Sequence, residues 1–242
     1  MKKSTRVICL ISIILNFLVV LAAVSFLHNR GGIIYVENRI SSILSSEPAI
    51  IPIVKIRNEN LKLVGVKEKD VVFVGDSHTN YFEWGEYFSV ISVANRGIGS
   101  DTTKGILGRI DGIVALNPKK IFIMAGINDI QKGIPIEDIE QNYVKIIEYI
   151  NKSNPNVEIY VQSVLPVAGK LYERNFYKSS KPLNEAVIQL NKKLSELEGV
   201  TYINIADNFG KELPDKYSVD GVHLNKDGYK VWVDTITDDV TQ

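Results

Sequence analysis

The chain has 242 residues, 45% hydrophobic and 23% charged, an ordinary globular composition with enough apolar material for one sizeable core. Its 28 basic and 28 acidic residues cancel, but Lys2, Lys3, Arg6 and Arg30 stand in the first thirty residues without an acid, leaving 24 basic against 28 acidic residues and a body at −4. A mildly acidic body without a Lys/Arg stripe lacks the electrostatic footprint of a nucleic-acid binder, so no nucleic-acid partner is expected.

From Val7 to Leu27 the run VICLISIILNFLVVLAAVSFL carries no charge, a length sufficient to cross ~30 Å of hydrocarbon as a helix. Lys2, Lys3 and Arg6 precede it, and the positive-inside bias then puts the N-terminus in the cytoplasm and the body outside. Residues 1–27 are therefore expected to form a cytoplasmic N-terminus and one transmembrane signal anchor. A cleaved signal peptide, with Ala23 and Ser25 as the small residues before the cut, is the competing reading and would leave the protein secreted; the apolar run is long for that class. Cys9 is the sole cysteine. It lies before most of the apolar run, so it is not a lipid-bearing residue, and the body has neither disulfide nor thiol nucleophile.

Residues 28–69, with Gly31, Gly32, two Ser pairs, Pro48 and Pro52, read as a spacer holding one helical stretch around residues 33–44. The body, 70–242, then alternates short β-rich runs with longer helical patterns. The strands are expected at 71–74, 90–94, 120–124, 157–164 and 200–205, and the first, third and fourth are nearly continuous apolar runs, as in strands covered on both faces. Helices are expected over 102–116, 137–152 and 181–197, where apolar residues such as Ile139, Tyr143, Ile146, Ile147 and Ile150 recur at three- and four-residue spacing. This alternation specifies an α/β fold with a parallel sheet. In such sheets ligands bind beyond the carboxyl ends of the strands.

Four segments there carry chemistry. Gly75-Asp76-Ser77-His78 follows the first strand, where glycine permits a sharp turn and presents Ser77; the same tripeptide also makes an ordinary helix cap. Asn95 to Thr103, NRGIGSDTT, follows the second strand as a Gly-rich turn, matching neither a dinucleotide fingerprint nor a P-loop. Ala125-Gly126-Ile127-Asn128-Asp129 follows the third and offers an amide that can donate to a developing oxyanion or make an Asx-turn. Asp220-Gly221-Val222-His223 precedes the last helix. An acid three residues before a histidine lets one turn bring carboxylate to imidazole, though an isolated pair of this kind is also a common surface turn.

Together, in this order, the four segments resemble the blocks of the SGNH/GDSL serine hydrolases, over roughly Val71 to Trp232. VVFVGDSHTN is similar to the first block, NRGIGSDTTKGILGRID to the second, IFIMAGINDI to the third and DGVHLNKDGYKVW to the last; VQSVLPV resembles the fourth-strand segment. Members of the platelet-activating-factor acetylhydrolase type and bacterial O-acetylesterases look most alike. The resemblance implies a three-layer α/β/α fold with a five-stranded parallel, flavodoxin-like sheet. It implies Ser77 as nucleophile, His223 as general base and then acid, and Asp220 as the carboxylate that orients the imidazole. The oxyanion would be held by the backbone N–H of Ser77, the N–H of Ser100 and the Asn128 amide. Here the sequence departs from the pattern, because Ser100 stands where the family has glycine, and Gly97 or Gly99 can supply the flexibility instead.

No metal or organic cofactor is expected. With three histidines, the two-metal phosphoesterase reading of Gly-Asp-Ser-His lacks its remaining ligands. His78 is expected to be a solvated or packing neighbour of the nucleophile, and Asp76 to bond local backbone. The expected reaction is ester hydrolysis through an acyl-enzyme on Ser77, on O-acetyl or short acyl groups of an extracytoplasmic glycan or small molecule. A lysophospholipase or short-chain lipase and an acyltransferase using the same residues are the alternatives within the enzyme class; a surface binding module without catalysis is the alternative outside it. Specificity is expected in loops 79–89 and 166–181, where Tyr81, Phe82, Trp84, Tyr172, Phe176 and Tyr177 are available to line a site.

Overall fold

A computed structural model describes residues 3–29, 52–176 and 178–242. The chain divides into two compact units, Met1–Ile50 and Ile51–Gln242. The first contains helix α1, Lys3–Asn29. Among the described residues no helix is long and apolar enough to cross a membrane. The side chains of α1 are described over residues 11–25, residue 23 excepted, a stretch short of the ~20 residues that spanning requires. The membrane span expected over Val7 to Leu27 is thus not shown, and the helix expected at 33–44 lies outside the described residues.

The second unit begins with α2, Pro52–Val64, a helix within the expected spacer. Five parallel strands follow: β1 Val71–Gly75, β2 Val93–Gly97, β3 Lys120–Met124, β4 Glu158–Gln162 and β5 Thr201–Ile203, in the order β2-β1-β3-β4-β5. Between and after them lie α3 Ser77–Asn80, α4 Trp84–Tyr87, α5 Thr103–Leu107, α6 Asp111–Val114, α7 Ile127–Gln131, α8 Ile136–Ser153, α9 Gly169–Phe176, α10 Ser180–Ser195 and α11 Lys226–Thr241.

The central strands are apolar on both sides because both faces are covered. Val72, Val74, Ile121 and Ile123 point into one core with Ile106 of α5, Ile113 of α6, Tyr143 and Ile146 of α8 and Leu190 of α10. Val71, Phe73, Phe122 and Tyr160 point into the other with Trp84 of α4 and Trp232, Val233 and Ile236 of α11. Helices on both faces of a parallel sheet make the three-layer α/β/α architecture.

Two elements differ from expectation. Strand β2 lies three residues later than the apolar run at 90–94: Val90 is 93% exposed, while Asn95 enters the sheet because its amide donates to the carbonyls of Thr79 and Phe82 and accepts from the Gly97 N–H. The helix expected over 102–116 is two short helices, α5 and α6, interrupted at Gly108 to Ile110, where glycine disfavours continuation.

Candidate active site

Strand β1 turns directly into α3 at Gly75. A Cβ there would collide with the Thr79 side chain and the Met124 carbonyl, so the turn demands glycine. Asp76 caps α3, its Oδ1 accepting from the His78 N–H at 3.0 Å, and Ser77 opens the helix at the carboxyl end of β1.

Across from it, the loop before α11 is pinned from several sides. Ser218 Oγ donates to the His223 carbonyl at 2.9 Å and accepts from the Gly221 N–H at 2.8 Å. Gly221 has φ +103° and abuts the Tyr172 backbone, while its carbonyl accepts from the Ala168 N–H at 2.8 Å. Asp220 Oδ1 accepts from the N–H groups of Val222 and His223 at 2.9 and 2.8 Å. Its Oδ2 stands 2.7 Å from His223 Nδ1, and His223 Nε2 stands 3.0 Å from Ser77 Oγ.

This geometry selects a tautomer. An ionised carboxylate can only accept, so Nδ1 carries the proton toward Asp220, and Nε2 is left to accept from the Ser77 hydroxyl. Burial pushes the Asp220 carboxyl up, but the His223 and Val222 N–H groups and the imidazole outweigh it, and the net direction is downward. The arrangement can take a proton from Ser77, hold it as imidazolium against Asp220, and return it to a leaving group.

The second and third blocks meet beside Ser77. Ser100 has φ +64°, the left-handed region that favours glycine. Asn128 Nδ2 donates to the Asp101 carbonyl at 2.9 Å, which uses one of its two N–H bonds and leaves the other for a ligand. Buried carboxylates brace both loops. Asp101 Oδ2 accepts from Arg109 Nε at 2.9 Å, and Asp129 accepts from the Thr103 N–H and from its hydroxyl at 2.7 Å. Burial pushes both carboxyls up, against the opposing pull of Arg109 and Thr103 respectively.

Every residue expected at the site thus lies at the carboxyl edge of the sheet. Of the two expectations for His78, a solvated or a packing neighbour of Ser77, the structure shows the packing one, with hydrogen bonds besides. His78 is 3% exposed, with Nδ1 3.3 Å from Asp76 Oδ1 and Nε2 2.9 Å from the Val222 carbonyl. Its own carbonyl accepts from the Tyr229 hydroxyl at 2.7 Å. Asp76 is a local partner, but nothing in the local sequence signals Val222 and Tyr229, which come from the last block. Asp76 bonds local backbone as expected. Of the candidate aromatic residues, Trp84 and Tyr172 are buried, Phe82 packs on Trp84 and Tyr229, Tyr177 lies outside the described residues, and Tyr81 is exposed beside His223. Among the described residues no group of three or more His, Cys, Asp or Glu side chains can hold a metal. A surface depression of about 390 Å³ lined by Glu68, Asp70, Asn117 and Asn154 lies at the opposite, amino edge of the sheet.

Residues 73–231 match the model of the GDSL-like Lipase/Acylhydrolase family. The chain belongs to this family. Platelet-activating factor acetylhydrolase IB subunit alpha2 of Rattus norvegicus is 30% identical over 168 residues, which cover 67% of this chain and 64% of that protein, so the chain spans under two thirds of the relative's length. A solved structure described as a platelet activating factor from Streptococcus pneumonia is 28% identical, with a TM-score of 0.66 over 77% of this chain and 91% of that one. An acetyl xylan esterase superimposes with a TM-score of 0.56 over 70% and 98% of the two chains; at 20% identity it shows the fold alone.

Proposed function

We propose that the protein is a serine esterase that removes O-acetyl or short acyl groups from a carbohydrate or cell-envelope substrate outside the membrane. The observation that carries the chemistry is the hydrogen-bonded series Asp220 Oδ2 to His223 Nδ1 and His223 Nε2 to Ser77 Oγ, at 2.7 and 3.0 Å. Ser77 Oγ attacks the ester carbonyl while Nε2 takes its proton. The resulting oxyanion is held by the N–H groups of Ser77 and Ser100 and by the second N–H of Asn128. As the tetrahedral intermediate collapses, its C–O bond to the leaving group breaks and His223 Nε2 gives its proton to the leaving oxygen, freeing the alcohol; water activated by the same nitrogen then hydrolyses the acyl-enzyme.

Two kinds of observation support the substrate class. Acetyl is the acyl group in the name of the rat acetylhydrolase. The charge-free run from Val7 to Leu27, with Lys2, Lys3 and Arg6 before it, supports an anchor that holds the catalytic unit outside, and the described side chains of α1 are exposed. The deciding experiment supplies the full-length protein with O-acetylated polysaccharide and, separately, with lysophospholipid. Acetate release from the polysaccharide is the expected result. Fatty acid release without acetate release would replace this reading with a lysophospholipase, and release of neither would favour a binding module.

A further inference from the structure

The rim of the site carries Tyr81, an exposed aromatic ring whose position relates to the two halves of an ester. Tyr81 follows α3, and its N–H donates to the Ser77 carbonyl at 3.0 Å, which fixes it one turn beyond the nucleophile. Its neighbours Phe82 and Trp84 turn inward and stack on the core, whereas Tyr81 is 53% exposed. Its ring centroid lies 5.2 Å from that of His223 at 53°. Its hydroxyl would be 3.8 Å from a Cβ built at Gly99. The ring therefore reaches from the histidine to the loop that carries Ser100.

The direction of proton transfer decides which half of the ester meets this ring. His223 Nε2 must come within hydrogen-bonding reach of the leaving oxygen as well as of Ser77 Oγ. The carbonyl oxygen points instead toward Ser100 and Asn128. The alcohol is thus the half that lies over His223, on the side where Tyr81 stands. A flat ring with a negative face attracts the positively polarised C–H groups of a saturated ring laid on it, and it buries apolar surface while leaving the hydroxyls wet.

We propose that Tyr81 is the leaving-group platform of this esterase, a surface on which the ring of the alcohol, a pyranose in the carbohydrate reading above, stacks during acylation. The proposal rests on that reading for the identity of the ring and on the site geometry for its side.

The test compares the full-length wild type with Tyr81→Ala and Tyr81→Phe. Two pairs of acetyl esters hold the acyl group constant: an O-acetylated methyl pyranoside against ethyl acetate, and p-nitrophenyl acetate against ethyl acetate. Tyr81→Ala is expected to lower kcat/KM by about tenfold for both ring alcohols, mainly through KM, and by less than about twofold for ethyl acetate. Tyr81→Phe should retain the wild-type values. Hydrolysis of the preformed acetyl-enzyme, from which the alcohol has departed, should proceed at the wild-type rate in both variants. Equal losses on ring and ethyl esters would mean that Tyr81 merely supports His223 and would overturn the proposal. Slowed deacylation, or a shifted preference among acetyl, butyryl and octanoyl esters, would put the ring on the acyl side and also overturn it. If the wild type prefers lysophospholipid to every acetylated sugar, the carbohydrate reading fails by itself, and the p-nitrophenyl against ethyl comparison still decides the side on which Tyr81 lies.

Discussion

His78 Nε2 lies 2.9 Å from the carbonyl oxygen of Val222, so the residue after Ser77 is bonded to the residue before His223. A carbonyl only accepts, which makes this ring nitrogen the donor. The bond closes 144 residues of chain and holds the Ser77 turn and the His223 loop in register. His78→Phe should fill the same space without the donor, leaving the Val222 carbonyl unpaired. We expect kcat to fall with KM little changed, together with a loss of about 2 kcal/mol in stability by denaturant unfolding. His78→Gln, which retains an N–H donor, should recover part of kcat. A uniform rise in KM without a change in kcat would argue against a positioning role.

The same histidine predicts how stability changes with pH. Burial disfavours its imidazolium, but the Asp76 carboxylate and the Val222 carbonyl outweigh burial, and the net direction is upward. A group raised on folding contributes stability that is fully present below its unfolded value, ~6.5 for histidine, and is lost as pH rises through the folded value. Asp220 runs the other way. Its folded value is depressed, so its contribution is present above the ordinary carboxylate value, ~3.9, and is lost as pH falls through the depressed one. Thermal unfolding should therefore show a melting temperature that declines above about pH 6.5 in the wild type and declines less in His78→Gln. The acid-side decline should be smaller in Asp220→Asn.

Much of this site was legible because its pieces are local. Ser77 needs only the Gly75 turn, and Asp220 and His223 are bonded within one tight loop, so short motifs encode them. The strands β1, β3 and β4 were legible because burial on both faces writes itself as an unbroken apolar run. Strand β2 was not, because Asn95 and Arg96 lie within it and the partners that satisfy Asn95 are carbonyls of the α3–α4 segment. The bonds of His78 to Val222 and Tyr229 are illegible for the same reason: those partners are set by the fold and not by neighbouring residues. Helix α9 forms inside what reads as a specificity loop, with Tyr172 buried against Phe176.

Ser77→Ala removes the attacking oxygen and leaves a residue of similar size at a 6% exposed position. Hydrolysis of p-nitrophenyl acetate should drop by at least roughly 10⁴-fold, with the melting temperature within a few degrees of wild type. Asp220→Asn should also cost about 10⁴-fold, since an amide at this position can present its N–H to Nδ1 and so turn the unprotonated nitrogen away from Ser77. Activity near the wild-type level in Ser77→Ala would exclude the serine mechanism.

Ser100 offers a test of how the oxyanion loop tolerates a side chain. Its φ of +64° costs an L-residue about 1 kcal/mol relative to glycine, while glycine gives back a similar amount through the entropy of the unfolded chain. Ser100→Gly should therefore change stability by less than about 1 kcal/mol and leave kcat within roughly threefold, because the N–H persists. A β-branched residue tolerates this conformation poorly, so Ser100→Val should pull the loop out of the left-handed region and carry the N–H with it. We expect a fall of about 10²-fold in kcat, the scale of losing one oxyanion donor, and a comparable fall in Asn128→Ala. Steady-state kinetics on p-nitrophenyl acetate checks all three. If Ser100→Val keeps full activity, the second backbone donor comes from another residue of the Gly97 to Ser100 turn, and the positive φ at Ser100 serves only the path of the chain.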